Sequence, residues 1–417
     1  MREAGFSFVQ LQPHIAGKSG ARPDVLAWAS DRDGRLVPWA VVEVKSGRLK
    51  SPDLALPGLA RSRDLLGTRE HYLVIGGRWY QADRSVRSLE PVDGPTSPLF
   101  GTGGFLTDED LAANLLSTQL WQESRRQRES EVRVDDFWPA SILEESALPG
   151  IQLSDEEFVP VDHEVLGRAR RRALVEYMLG ERSHGFHVSQ PVIAEAVATL
   201  VGDRVGGTVL DPFCGTGSFL WAVVDRAQYI DVPVEFVGYD VDQKVAEAAE
   251  AIGRQEPLLT AIEHADAYEV ELPSAHVVVT APPLGLRMQR PHALLDGSST
   301  TDGEAAAVDL CLRTLKPGGR AVFHLGTGFT FKQALDRYRQ FLANEFRVAV
   351  LIGLPSGAFP GTTMRSVLLV IDRAEPGETF LAQLGEDWEA QLGVEGAALL
   401  AAREHLDGGG PTIVGHA

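Results

Sequence analysis

Two cysteines occur in 417 residues, Cys214 and Cys311. That is too few for a disulfide framework or a thiolate zinc cluster, and it fits a reducing cytoplasm. No apolar run approaches the ~18 residues of a membrane span. The first residues, Met1–Gln10, lack the basic stretch and apolar core of a secretory leader. Cations are scarce as well. Lys and Arg number 39 against 58 Asp and Glu, a net charge of -19. Neutralising phosphates needs clustered Lys and Arg, which argues against a stand-alone nucleic-acid binder. Any polyanion contact must be local or shared with a basic partner. What is present is a globular composition, 44% hydrophobic, in a length that allows two or three domains around large cores.

The charge is unevenly placed. Residues 1–95 hold 14 basic and 11 acidic residues, a net of +3, so the remainder carries -22. This first segment reads as a small α/β unit. Strand-like runs cover Asp24–Ala29, Trp39–Lys45 and Tyr72–Ile75, with a turn at Asp31–Arg35 and a helix over Asp53–Leu66. A proline- and glycine-rich stretch from Glu90 to Thr102 reads as a linker. Residues 96–182 form a connector with helices over Leu111–Arg128 and Glu164–Leu179 around an irregular acidic stretch. Its run Arg168–Arg172 is a phosphate contact or a solvated helix face. From 183 to 376, strands at 207–210, 234–239, 277–280, 320–325, 346–354 and 366–372 alternate with helices. That order implies a parallel, doubly wound sheet with ligands at the strand carboxyl ends. Residues 377–417 read as one helix, Asp387–His405, and a loose tail.

The most specific string is Val209-Leu-Asp-Pro-Phe-Cys-Gly-Thr-Gly-Ser-Phe-Leu220. A strand ends at Asp211, and Gly215 and Gly217 bend the chain into a helix, where the backbone can approach a cofactor closely. The string resembles the S-adenosylmethionine loop of amino-methylating DNA methyltransferases, Asp-Pro-x-x-Gly-x-Gly-x-Phe. The resemblance implies a Rossmann-like class I methyltransferase fold, with Asp211, Pro212, Phe213, Gly215 and Gly217 around the cofactor. Gly238-Tyr-Asp240 follows 29 residues after Asp211. A carboxylate there suits the two ribose hydroxyls; a helix N-cap is the other reading. Asp266 stands where the family places an acid facing the cofactor's adenine. Gly185-Phe-His-Val-Ser-Gln-Pro191 resembles the segment that closes over the methionine end and puts Phe186 there. Leu315–Phe323 resembles the turn and strand after the fourth helix of class I methyltransferases, and Val350–Thr363 closely resembles the modification subunits of type I restriction systems.

One motif departs. The family carries Asn/Asp-Pro-Pro-Phe/Tyr after the fourth strand; here the residues are Ala281-Pro282-Pro283-Leu284. A flipped adenine presents its amino nitrogen there, held by a side-chain and a backbone carbonyl and stacked on the aromatic ring. Ala281 offers no side-chain acceptor and Leu284 no aromatic face. Losing one preorganised hydrogen bond to reacting charge costs about 10²–10³ in rate.

Near the N-terminus, Pro23-Asp24, then 18 residues, then Glu43-Val-Lys45 resembles the PD-(D/E)xK nuclease core. The resemblance implies that Asp24 and Glu43 hold a divalent metal such as Mg2+, with Lys45 on the same face assisting hydrolysis.

The combined expectation is a nuclease-like domain, a helical connector and an adenine-specific DNA methyltransferase of a restriction-modification type. It would use S-adenosylmethionine, meet DNA through a separate specificity or basic subunit, and touch no membrane. Two alternatives remain: an impaired homologue serving as a cofactor-binding or assembly subunit, and a methyltransferase for a protein or small molecule.

Overall fold

The computed structural model describes the chain apart from residues 13–22, 48–50, 101–102, 130–148, 155–156, 181–187, 228–231, 255, 257, 360–361 and 409–417. Two compact units meet in sequence at Leu174 and Val175.

In the first unit, β1 (Phe8–Leu11), β2 (Val25–Ser30), β3 (Arg35–Lys45), β4 (Glu70–Ile75), β5 (Arg78–Ala82) and β6 (Leu89–Val92) lie side by side in chain order. The β2–β3 turn forms as expected. Asp31 Oδ1 accepts the N–H groups of Asp33 and Arg35, each at 2.9 Å, and Gly34 takes φ +76°. β3 and β4 run parallel, so the chain must cross over between them. It does so through α1 (Leu56–Leu66), which carries its proline in the first turn, where a missing N–H costs nothing. Leu26, Trp39, Val42, Leu59, Tyr72 and Leu73 fill the core. β7 (Phe105–Leu106) pairs with the start of β3, so this sheet reaches beyond the proline-rich stretch. α2 (Glu109–Glu129), a hairpin of β8 (Gly150–Ser154) and β9 (Glu157–Pro160), and α3 (His163–Gly180) follow. The arginine run on α3 is structural. Arg168 and Arg172 pair with Glu109 and Asp110 of α2, at 2.8 and 2.5 Å, while Arg170 and Arg171 are buried.

The second unit alternates as predicted: α4 (Pro191–Val201), β10 (Gly207–Asp211), α5 (Ser218–Ala227), β11 (Val234–Asp240), α6 (Gln243–Gly253), β12 (Leu259–His264) and β13 (Ala275–Thr280). A small hairpin, β14 (Arg287–Ala293) and β15 (Ser299–Asp302), leads into α7 (Gly303–Thr314) and β16 (Leu315–Gly326). Then come α8 (Gly328–Phe331), α9 (Asp336–Glu345), β17 (Arg347–Leu354), β18 (Ser366–Asp372), β19 (Phe380–Gln383), α10 (Trp388–Leu392) and α11 (Ala397–Leu406). The sheet order is β12-β11-β10-β13-β16-β18-β17-β19. α7 and α9 cover one face; α4, packed on α5, α10 and α11, belongs to the other.

Two expectations need correction. The sheet is not wholly parallel, because β18 runs antiparallel to both β16 and β17. Residues 355–365 are too few for a helical crossover, which takes a dozen or more, so the chain turns straight back. The C-terminal helix is split. Its break holds Gly396, where a Cβ would lie 2.1 Å from the Gln391 carbonyl oxygen.

The buried Arg320 guanidinium grips Asp372 through two bonds of 2.7 and 3.0 Å and donates to the carbonyl of Leu200, tying β16, β18 and the end of α4 together. Among the described residues no helix is long and apolar enough to cross a membrane.

Candidate functional site

β10 delivers Asp211, which is buried, to the carboxyl edge of the sheet. There its Oδ1 accepts the Phe213 N–H at 3.1 Å, and Cys214 N–H bonds the carbonyl of Tyr239 at 2.8 Å. The next bend needs left-handed residues. Gly215 takes φ +56° and Gly217 φ +85°. A Cβ on Gly217 would lie 2.4 Å from the Trp221 ring, whose Nε1–H donates to Thr216 O at 2.6 Å. The turn is therefore fixed by its own helix.

Asp240, at the end of β11, binds this turn directly. Its Oδ2 accepts the Gly215 N–H and its Oδ1 the Asp242 N–H, each at 2.9 Å. The helix-capping role falls to Asp242, which accepts from Lys244 and Val245. Asp266 follows β12, exposed, with its Oδ1 on the Tyr268 N–H at 2.9 Å. Asp211, Asp240 and Asp266 thus leave three adjacent parallel strands. The sequence reading missed Tyr268, whose ring lies 5.6 Å from that of Phe213 and joins the outer loops. Its only signal was an aromatic residue two places after Asp266.

Burial pushes the Asp211 carboxyl up to about 7. A buried acid held near neutrality is what a cationic group would satisfy. S-adenosylmethionine carries a sulfonium and an ammonium, so this donor set fits it. Phe186 lies outside the described residues, but its neighbours Val188 and Ser189 line one cleft with Asp211, Phe213, Gly215 and Ala281.

That cleft brings Ala281 to the Gly215 turn. Ala281 follows the buried Thr280 at the end of β13, Pro282 is buried and Pro283 exposed. Leu284 packs toward Gly326, where a Cβ would lie 3.4 Å from Leu284 Cδ2 and 3.1 Å from Glu304 Oε1. A second, larger cleft of about 510 Å³ is lined by Gln190, Gly357, Phe359, Thr362 and Thr363. Gln190 Nε2 donates across it to Gly357 O at 2.6 Å. Phe359 lies flat on His324, ring centroids 3.7 Å apart, and burial holds that imidazole down at about 3, hence neutral.

In the first unit, Asp24, Glu43 and Lys45 converge. Lys45 Nζ is 2.5 Å from Glu43 Oε2 and 3.4 Å from Asp24 Oδ2, and Asp24 Oδ2 also accepts the Val44 N–H at 2.7 Å. The hydrogen bond to Glu43 raises the Lys45 pKa. Among the described residues no three His, Cys, Asp or Glu side chains gather as a metal would need.

A model of the N-6 DNA Methylase family matches residues 163–390. The chain belongs to that family. Its reaction is methyl transfer from S-adenosylmethionine to the adenine amino group of DNA, and the turn at Asp211 and Asp240 lies within the matched span. Among solved structures, a class I S-adenosylmethionine-dependent methyltransferase from Listeria monocytogenes is 18% identical, with a TM-score of 0.55 over 71% of this chain and 98% of its own. That likeness shows the fold. The modification subunit of a type I restriction enzyme from Vibrio vulnificus is 16% identical, with a TM-score of 0.47 over 66% of this chain and 79% of its own. No curated protein matches. Both the Asp211–Gly217 turn and Ala281–Leu284 lie within the matched span.

Proposed function

We propose that this N-6 methylase acts slowly, as the modification component of a restriction-modification or DNA-defence system in the cytoplasm. The observation that carries the reading is the cleft shared by Asp211, the Gly215 turn and Ala281. Asp240 would hold the cofactor's ribose hydroxyls, Asp266 its adenine, and Asp211 with Phe213 its cationic end. When bound, the cofactor supplies an electrophilic methyl group on sulfur. The chain's own task is to seat an extruded adenine against that methyl and draw its N–H bonds toward acceptors. With Ala281 in place, only backbone carbonyls of the 281–284 loop remain for this. Phe359, held flat by His324, offers an aromatic face that Leu284 does not. A chain of net charge -19 needs help on DNA, so sequence choice comes from a basic specificity partner.

The side chains at 281 and 284 also favour a second reading, an impaired homologue that binds cofactor and assembles with others. Expression in a host without adenine methylation, alone and with specificity subunits, separates the two. N6-methyladenine in one sequence context supports slow modification. An unmodified genome beside saturable cofactor binding supports the impaired homologue, and failure to bind cofactor overturns both.

We read the first unit as nuclease-like in layout and retained for DNA contact. The Lys45 ammonium stands between the two carboxylates that a Mg2+ ion would need.

A further inference from the structure

Most arginines of the second unit are held in ion pairs, such as Arg313 with Asp309 and Arg403 with Asp203. Arg287, Arg290 and Arg365 are exposed and, among the described residues, have no carboxylate partner. In a chain of net charge -19, exposed guanidinium groups without a carboxylate partner are free to take an outside anion.

Two of them flank one short element. Arg287 pairs in the β14–β15 hairpin with Asp302, whose carboxylate takes the Lys332 ammonium. On the other side, the carbonyl of Arg365 accepts the Thr327 N–H at 3.2 Å, just before α8. Between Thr327 and Lys332, at the end of α8, stands Phe331. At 69% exposure it is the most exposed Phe or Trp among the described residues. Leu286 and Met364, the neighbours of Arg287 and Arg365, are exposed too, at 41% and 46%. All of these residues lie at the carboxyl edge, where β13 and β16 end and β18 begins.

We infer that this edge is a DNA-docking rim in which Phe331 enters the base stack and fills the space left by an unpaired or extruded nucleotide. The chemistry is complementary. Arg287 and Arg365 meet phosphates, and the exposed Phe331 ring finds a stacking partner between bases. The cost of leaving so large a ring in water is then recovered on DNA. The inference rests on the proposed reading that the cofactor sits at this carboxyl edge, which calorimetry with S-adenosylmethionine on wild type and Asp240→Ala checks separately.

The test needs neither turnover nor a known target sequence. Fluorescence anisotropy at low salt compares the full chain on a mixed-sequence duplex and on the same duplex with one abasic site. Wild type should bind the abasic duplex about tenfold more tightly, since the hole spares the cost of unstacking. Phe331→Ala should lose that preference while keeping its affinity for the intact duplex and its cofactor binding; Phe331→Trp should retain it. Arg287→Ala and Arg365→Ala should weaken both duplexes equally and flatten the salt dependence by about one unit of slope each. An abasic preference that survives Phe331→Ala, or no duplex binding by a cofactor-binding chain, overturns the inference.

Discussion

Asp240 Oδ2 holds the backbone N–H of Gly215 at 2.9 Å, so the acid that ends β11 fixes the turn that follows β10. Because Asp242 caps α6 in its place, Asp240 serves the Gly215 turn and not the helix. Asp240→Ala removes a charge-assisted bond together with the proposed ribose acceptor. Calorimetry with S-adenosylmethionine should show affinity down by roughly 10- to 100-fold, the equivalent of about 1.5–3 kcal/mol. Unchanged affinity would place the cofactor elsewhere.

Asp211 makes stability depend on pH in an unusual direction. Its carboxyl moves from 3.8 to about 7 on folding, so the native state binds more protons through that window. Its contribution is full below pH 3.8 and is lost as pH rises through 7, by roughly 4 kcal/mol in all. His324 and His71, held down at about 3 and about 4, act in the opposite sense, which is why a difference measurement is needed. Cofactor-free wild type should lose stability relative to Asp211→Asn between pH 4 and pH 7. Parallel curves would mean that Asp211 ionises freely.

Asp372→Asn should cost about 3–5 kcal/mol in denaturant unfolding, because Arg320 is 1% exposed and would stay buried without its anion. Replacing Arg320 with Met in that background should recover part of the loss. Arg204 and Arg347 also lie 3.5 and 3.6 Å from Asp372, so a cost below 1 kcal/mol for the single variant would show that this cluster of cations does not depend on its anion.

The first unit should not nick supercoiled DNA with manganese, because Lys45 fills the place between Asp24 and Glu43 and no third acid joins them among the described residues. Manganese-dependent nicking that disappears in Glu43→Ala would contradict this and reveal a working nuclease.

Much of this was readable before any coordinates. β10, β11 and β13 are apolar runs closed by Asp, Pro or Gly, and such punctuation survives folding. β12 was not read as a strand, because Leu-Thr-Ala-Ile-Glu-His is an edge segment without a buried face to impose alternation. The direction of β18 was hidden as well, since periodicity reports burial and not orientation. The His324–Phe359 stack joins residues from separate elements, and only the pairing of β16 with β18 brings them together. Helix capping, the other reading of Asp240, falls to Asp242, which the sequence alone did not show. That Ala281 offers no side-chain acceptor was legible at once, because a methyl group cannot accept a hydrogen bond in any fold.

The most direct test follows label from methyl-tritiated S-adenosylmethionine into unmethylated DNA, with the bases separated afterwards. Wild type should place label slowly in N6-methyladenine, and Asp240→Ala should abolish it. Ala281→Asn with Leu284→Phe should raise the rate by about 10²–10³, the worth of one restored acceptor in the transition state. Label in another base, in protein or nowhere at millimolar cofactor, with no gain from the restored residues, would contradict the account.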